Sequence, residues 1–199
     1  MKNQKTPTRI LSLMTAFILM TTFAFAQTTW KVDPYHAKVT FSTLHNTISD
    51  VEGLFNKFDA TVTTTKENFS DATFVLTVDV ASIDTEIKMR DDHLRSADFF
   101  DVEQYPEMTF KSNSIKATQE KNKYKLSGNL TMHGITKPVT MDLWYRGTIK
   151  NEKDQSRIAG FQVTGKINRL DFEIGPKFPE ALISNEVLIK ADGEFITKQ

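Results

Sequence analysis

Apolar and polar side chains alternate along most of the chain after Trp30, which is the pattern of β-strands with one buried face. The alternation recurs in residues 36–44, 72–83, 123–133, 139–146, 159–167 and 187–195. In residues 48–64 the apolar positions change phase near Asn56 and Lys57, which predicts a bulge or bend. The sequence therefore predicts about eight strands with short connections.

Strands of this kind predict an all-β protein built on an antiparallel sheet. The sheet would leave two edges exposed unless it closed on itself or folded into two layers. An up-and-down barrel of eight strands is the favoured prediction, and a β-sandwich is the alternative. Helix is expected only within residues 85–104 and in a short stretch from Pro176 to Leu182.

The segment of residues 84–110 interrupts the strands and mixes charged side chains with two adjacent phenylalanines. A short helix is predicted at residues 88–94, with Asp84 or Thr85 as its N-cap. The segment is either a lid with apolar residues facing inward or a plug that closes one end of the β-structure. Its residues alone do not separate these two interpretations.

Several small residues fall on the inward faces of the late strands, where a filled core would need leucine or isoleucine. They are Gly128, Ala159, Gly165, Ala191 and Gly193. This favours an internal cavity over an interior filled by the 15 phenylalanines of the chain. A lining of Phe, Val, Leu and Met suits a long apolar ligand, whose polar end would meet arginine at the rim.

The start of the chain has the pattern of a secretory signal peptide. Three basic residues precede an apolar stretch at residues 10–23, and Ala-Phe-Ala at 24–26 fits the cleavage rule. We therefore expect residues 1–26 to be removed and residues 27–199 to form one domain, either periplasmic or secreted. After cleavage no membrane-spanning segment is predicted.

Charge and side-chain chemistry exclude several classes of function. Cleavage removes three of the 25 basic residues and none of the 25 acidic ones, so the domain has a net charge of about −3 and lacks a nucleic-acid footprint. The chain has no cysteine, and its four histidines show no paired metal-ligand spacing. No nucleophile motif or phosphate loop is present. We predict no catalytic residues, no metal site and no cofactor apart from a bound lipid.

Four long motifs carry a resemblance to a known family. They read WKVDPYHAKVTFSTLH, VEGLFNKFDATV, MRDDHLRSADFFDVEQYPEMTF and LSGNLTMHGITKPVTMDL, in that order. In sequence and spacing the chain resembles the YceI-like polyisoprenoid-binding proteins. The resemblance implies a lipocalin-like barrel of eight antiparallel strands that holds a long isoprenoid, fatty acid or similar amphiphile in an internal cavity.

The inward strand faces and the central motif together give the predicted site. The predicted lipid contacts are Phe41, Phe55, Phe74, Leu76, Met89, Leu94, Phe99, Phe100, Phe110, Leu130, Met141, Leu143 and Phe161. The predicted head-group contacts are Arg90, His93, Arg95 and His45. For His36, His45 and His133 a structural role at strand ends is an equal alternative.

The first hypothesis for function is non-enzymatic binding, transport or storage of a long-chain isoprenoid or similar amphiphilic lipid in the periplasm. One alternative is an enzyme or accessory factor in isoprenoid quinone metabolism. Another is a structural barrel that binds a protein partner, which the outward-facing Trp144 favours slightly. A homodimer is compatible with the sequence.

Overall fold

The computed structural model describes residues 27–197, so the predicted signal peptide lies outside the described residues. The strands are β1 (Thr28–His45), β2 (Ser49–Phe55), β3 (Phe58–Thr64), β4 (Thr73–Asp79), β5 (Ile83–Asp84), β6 (Glu107–Ala117), β7 (Lys123–Met132), β8 (Ile135–Lys150), β9 (Arg157–Asn168) and β10 (Ile183–Thr197). One α-helix, α1 (Lys88–Arg95), lies between β5 and β6. Within residues 27–197 no helix is long and apolar enough to cross a membrane.

Eight of the strands described in residues 27–197 form a closed antiparallel ring in the order β1–β10–β9–β8–β7–β6–β4–β3. The ring closes because β1 pairs with β10 on one side and with β3 on the other. The prediction of an eight-stranded antiparallel barrel is confirmed, and the sandwich alternative is wrong. Two shorter strands extend the wall: β2 pairs with the second half of β1, and β5 pairs with β2.

The alternation of apolar and polar residues in the sequence matches an alternation of buried and exposed side chains in the strands. In β7 every second residue from Tyr124 to Met132 is buried, while Lys123, Lys125 and Asn129 are exposed. The predicted change of phase is also present, because β2 ends at Phe55 and β3 begins at Phe58. The apolar faces of the ring therefore meet in one core.

Two local predictions are wrong. The N-cap of α1 is Ile87 and makes no side-chain capping bond, whereas Asp84 accepts a hydrogen bond from the Glu86 N–H and Thr85 bonds to Asp91. Asp84 and Thr85 instead order the turn before the helix. The stretch from Pro176 to Leu182 forms turns, and the helical segment on this connection is a 3-10 turn at Arg169–Phe172.

One end of the barrel is closed by a cluster of aromatic rings. Phe69 is buried and lies 5.2 Å from Trp30, 4.9 Å from Tyr145 and 4.8 Å from Phe161, measured between ring centroids. Tyr124 donates a hydrogen bond to the carbonyl of Asn68 and anchors the turn that carries Phe69. We call this cluster the aromatic plug.

Two segments cover the other end of the barrel. We call residues 88–106 the lid segment; it consists of α1 and the turns that lead to β6. We call residues 169–182 the flap segment; it connects β9 to β10. His133 at the β7–β8 turn supports this end, because its Nδ1 lies 3.0 Å from the carbonyl oxygen of Phe172.

Candidate functional site

Two adjacent apolar cavities lie inside the barrel. The lower cavity has a volume of about 110 Å³ and is lined by Phe161, whose ring also contacts the aromatic plug. The upper cavity has a volume of about 100 Å³ and lies under the lid and flap segments. The two cavities share the side chains of Val39, Met108 and Ile189 as a common wall. Movement of that wall would join them along the barrel axis.

The small inward residues predicted an internal cavity, but the inward-facing glycines themselves do not border open space. A Cβ added at Gly128 would lie 2.7 Å from the Phe110 ring, and one added at Gly165 would lie 2.9 Å from Cγ of Met141. A Cβ at Gly53 would lie 2.5 Å from the ring of Phe41. Large neighbouring side chains thus occupy the space beside the glycines, because a close-packed interior leaves few voids.

The lid segment is held to the barrel by polar contacts at the base of α1. The carboxylate of Asp91 is buried and accepts hydrogen bonds from the backbone N–H and hydroxyl of Thr85. Arg90 donates to the hydroxyl and carbonyl of Thr85 from the other side. Arg95 donates to the carbonyls of Ala81 and Ile83. Both arginines therefore have structural partners.

The flap segment is organised by Arg169, which is 3% exposed and lines the upper cavity. All five of its N–H donors point at backbone carbonyl groups. The acceptors are Ser184 (3.2 Å), Ile174 (3.0 Å), Gly175 (2.6 Å), Phe178 (2.7 Å) and Ile183 (3.1 Å). None of the ion pairs within residues 27–197 includes Arg169, and burial lowers the pKa of its guanidinium. This side chain is a structural clamp that ties the flap to the start of β10.

The lid and flap segments meet at a line of side chains that we call the seam. The rings of Phe99 and Phe178 stack with centroids 4.7 Å apart and planes within 12°. Outside this stack, Lys177 donates to Asp98 at 2.9 Å, and Nε2 of His93 lies 3.3 Å from the same carboxylate. These hydrogen bonds, first that of Lys177 and then that of His93, lower the pKa of Asp98.

The comparisons with known proteins agree with this architecture. A model of the YceI-like domain matches residues 30–195. The chain belongs to the YceI-like family. It is 36% identical over 186 residues to Protein YceI of Salmonella newport, across 92% of this chain and 96% of that protein.

Solved structures of this fold are also similar. Burkholderia cenocepacia BcnA superposes with a TM-score of 0.70 at 29% identity, covering 83% of this chain and 98% of that one. A polyisoprenoid binding domain from Saccharophagus degradans gives a TM-score of 0.63 at 15% identity, covering 87% and 100%. At that identity the likeness shows the fold alone.

In this YceI-like barrel most of the predicted lipid contacts line a cavity. The lower cavity includes Phe74, Leu76, Phe110, Leu130, Met141 and Phe161. The upper cavity includes Phe41, Phe55, Leu94, Phe99 and Phe100. Leu143 is buried in the core but lines neither cavity. Met89 is 81% exposed, so its placement among the cavity residues is wrong: it lies on the solvent side of α1.

The predicted head-group residues are not gathered at one place. Arg90 lines a third space, a groove of about 1140 Å³ whose other lining residues include Asp142 and Lys190. This groove shares Thr40, Phe41 and Ile189 with the lining of the upper cavity. Arg95 is held by β-strand carbonyls, and His45 lies at the end of β1; neither lines a cavity. Only His93 lies at the seam, where it packs on Phe99 and Phe178.

Within residues 27–197, one group of side chains could bring three metal-ligand atoms together: Asp33, His36 and Glu194. Its geometry is that of an ion pair, with Nδ1 of His36 at 2.7 Å from Asp33 and 4.0 Å from Glu194. The hydrogen bond to Asp33 raises the pKa of His36, which favours the protonated ring. The prediction that the protein has no metal site stays a prediction.

Sequence reasoning missed several residues of the site. Val39 and Ile189, which separate the cavities, belong to strands whose alternation was clear, so their inward direction could have been used. Phe178 and Lys177 fall in the stretch interpreted as a possible helix. Arg169 directly follows a strand, and no local pattern distinguishes it from a surface arginine.

Proposed function

We propose that the protein binds a long-chain isoprenoid or a similar amphiphilic lipid inside the barrel, outside the cytoplasm, and transports or stores it without chemical conversion. The observation that carries this proposal is the pair of adjacent apolar cavities that share Val39, Met108 and Ile189 as a common wall. The polyisoprenoid binding domain of Saccharophagus degradans is an example of this fold with that ligand class. The predicted signal peptide supports export.

The cavity volumes set a condition on this function. Each cavity has about a third of the roughly 300 Å³ at which ligand pockets begin. A long chain therefore requires side chains to move, and Met141 beside Gly165 and Phe41 beside Gly53 are placed to give way. Each methylene group of the lipid that is buried in their place contributes about 0.8 kcal/mol to the free energy of binding.

The composition of the cavity linings supports binding over catalysis. Asp192 is the acidic residue among the described linings of the two cavities, and no histidine lines either cavity. Its carboxylate accepts hydrogen bonds from Arg146 and Gln162. A catalytic site requires a nucleophile, a base and oxyanion donors that converge on one point. The two apolar linings offer no such group of residues.

Native mass spectrometry of the purified protein, followed by solvent extraction, tests the proposal. We expect a co-purifying amphiphile in the wild type, and its loss in Phe100→Asp, because that carboxylate would enter the apolar upper cavity. Met89→Asp is the matched control, since it adds the same charge to the solvent side of the lid segment. Arg90→Ala should lose less lipid than Phe100→Asp. Equal retention in all three variants, or no ligand in the wild type, would contradict the proposal.

A further inference from the structure

We infer that the amphiphile enters and leaves through the seam, by separation of Phe99 from Phe178, and not through the barrel wall or the aromatic plug. This inference rests on the proposed function and adds the route by which the site is filled. It follows from the difference between the hydrogen bonds on each side of the seam and the weaker contacts across the seam.

Each side of the seam is well connected internally. In the lid segment, backbone N–H groups of Phe99, Phe100 and Val102 donate to carbonyls at the end of α1 and in the following turn. In the flap segment, Arg169 binds the carbonyls of Ile174, Gly175 and Phe178 and also ties the flap to β10 through Ile183 and Ser184. Each side of the seam is therefore held by hydrogen bonds that do not cross the seam.

The connection across the seam is of a different kind. Within residues 27–197 no backbone hydrogen bond joins the lid segment to the flap segment. The contacts across it include the Phe99–Phe178 stack, the edge of His93 on Phe178, and the ion pair between Asp98 and Lys177. The ring of Phe99 also packs on Gly175, where an added Cβ would lie 2.7 Å from the ring. Both charged groups of that pair are substantially exposed, and exposed ion pairs contribute little to stability. The seam can separate without breaking any strand ladder or the Arg169 clamp.

The upper cavity lies directly behind the seam. Phe99 contributes to the stack and also lines the cavity, as do Leu94 and Phe100 from the lid segment and Ile174 from the flap segment. Displacing Phe99 therefore opens the cavity to solvent in one step. The polar atoms of Lys177 and His93 lie at the mouth, where the head group of a single-chain amphiphile would remain.

The plug end and the β1–β10 bulge are closed by closer packing. The plug end is filled by mutually packed rings around Phe69. One weak point in the wall is the bulge between Val32 and Ala37, where the β1–β10 register shifts beside the lower cavity. There Ala37 packs against Gly193, and the Asp33–His36 ion pair spans the bulge. This bulge supplies a matched control.

A thiol cross-linking experiment tests the route, because the chain has no cysteine of its own. The variant Asp98→Cys/Lys177→Cys is joined across the seam with a short bifunctional maleimide. The control variant His36→Cys/Glu194→Cys is joined across the wall bulge in the same way. Uptake and release of cis-parinaric acid are followed by fluorescence before and after cross-linking, and circular dichroism confirms the fold of every sample.

We expect cross-linking of the seam to abolish uptake on the time scale of the uncross-linked variant and to trap probe that is already bound. Cross-linking of the bulge should leave both rates unchanged. Phe178→Ala, which removes one ring of the stack without any cross-link, should release the probe faster than the wild type.

Undiminished exchange after cross-linking of the seam, or exchange blocked by the bulge cross-link alone, would overturn the inference while leaving the proposed function intact. Slower or unchanged release from Phe178→Ala would also count against the seam. If the wild type does not bind the probe at all, both the entry route and the proposed function are wrong. The wild-type measurement therefore separates failure of the route from failure of the function.

Discussion

Replacement of Arg169 by alanine is expected to be the most destabilising single change in the lid and flap segments. The side chain is almost fully buried, and its five N–H groups donate to five carbonyl groups of the flap segment and of the start of β10. No other side chain among residues 27–197 satisfies so many backbone acceptors. Alanine would leave all five without this donor.

The magnitude depends on which carbonyl groups water can reach. The bonds to Ile174 and Gly175 are buried, whereas the other three are partly buried. A buried acceptor without a partner costs about 1–3 kcal/mol, which applies to the Ile174 carbonyl. The Gly175 carbonyl keeps the backbone N–H of Phe178 as a donor at 3.1 Å, so it loses one of two hydrogen bonds, worth about 0.5–1.5 kcal/mol. Together these two changes cost about 1.5–4.5 kcal/mol. Removing a buried guanidinium also relieves its desolvation, which offsets part of this loss. We expect a net destabilisation of about 3 kcal/mol.

Urea unfolding followed by tryptophan fluorescence gives the measurement, since Trp30 and Trp144 are the two tryptophans of the chain. Arg146→Ala is the control: Arg146 is partly exposed and pairs with Asp192, so its removal should cost about 1 kcal/mol or less. Arg169→Lys keeps a charge and three donors, and should fall between wild type and alanine. If Arg169→Ala unfolds at the same urea concentration as Arg146→Ala, the clamp does not hold the flap.

Two further predictions concern packing and pH. Gly128→Ala should destabilise more than Gly165→Ala in urea unfolding, because the new Cβ would meet the backbone carbonyl of Lys111 at 2.5 Å, whereas at Gly165 it meets only the flexible Met141; the reverse order would contradict this. Burial raises the pKa of Asp71, but the hydrogen bonds that its carboxylate accepts, chiefly from Thr64 and Thr65, together outweigh burial and lower the pKa to about 2. Because the folded pKa lies below the ordinary value, this group stabilises the fold above pH 4 and loses its contribution of about 2 kcal/mol as the pH falls toward 2. Asp71→Asn should therefore be less stable than wild type at pH 7 and nearly equal to it at pH 2, and an unchanged gap would refute the assignment.

The barrel could be predicted from the sequence because its determinants are local. Alternation along a strand such as β7 decides which side chains are buried, and the absence of further amphipathic segments leaves closure as the way to protect the edges. The bend between Phe55 and Phe58 was visible for the same reason, as a change of phase. Both features can be predicted from residues that are close together in the sequence.

The state of the interior could not be predicted in the same way. Whether Gly165 leaves a void depends on Met141, which lies on the neighbouring strand and turns toward it. The role of Arg169 likewise depends on carbonyl groups up to 15 residues away in sequence. In both cases tertiary packing determines the contact. The sequence indicated only that small residues face the interior.

Under the proposed function, the paired glycines and large side chains let a closely packed interior also accept a ligand. An added Cβ would lie 2.5 Å from the Phe41 ring at Gly53 and 2.9 Å from Cγ of Met141 at Gly165. Glycine at these two positions therefore leaves the space that the large side chains occupy. Methionine has three rotatable bonds and adapts to irregular space with little strain. The proposed function therefore requires Phe41 and Met141 to leave this space when the methylene groups of a lipid replace their contacts.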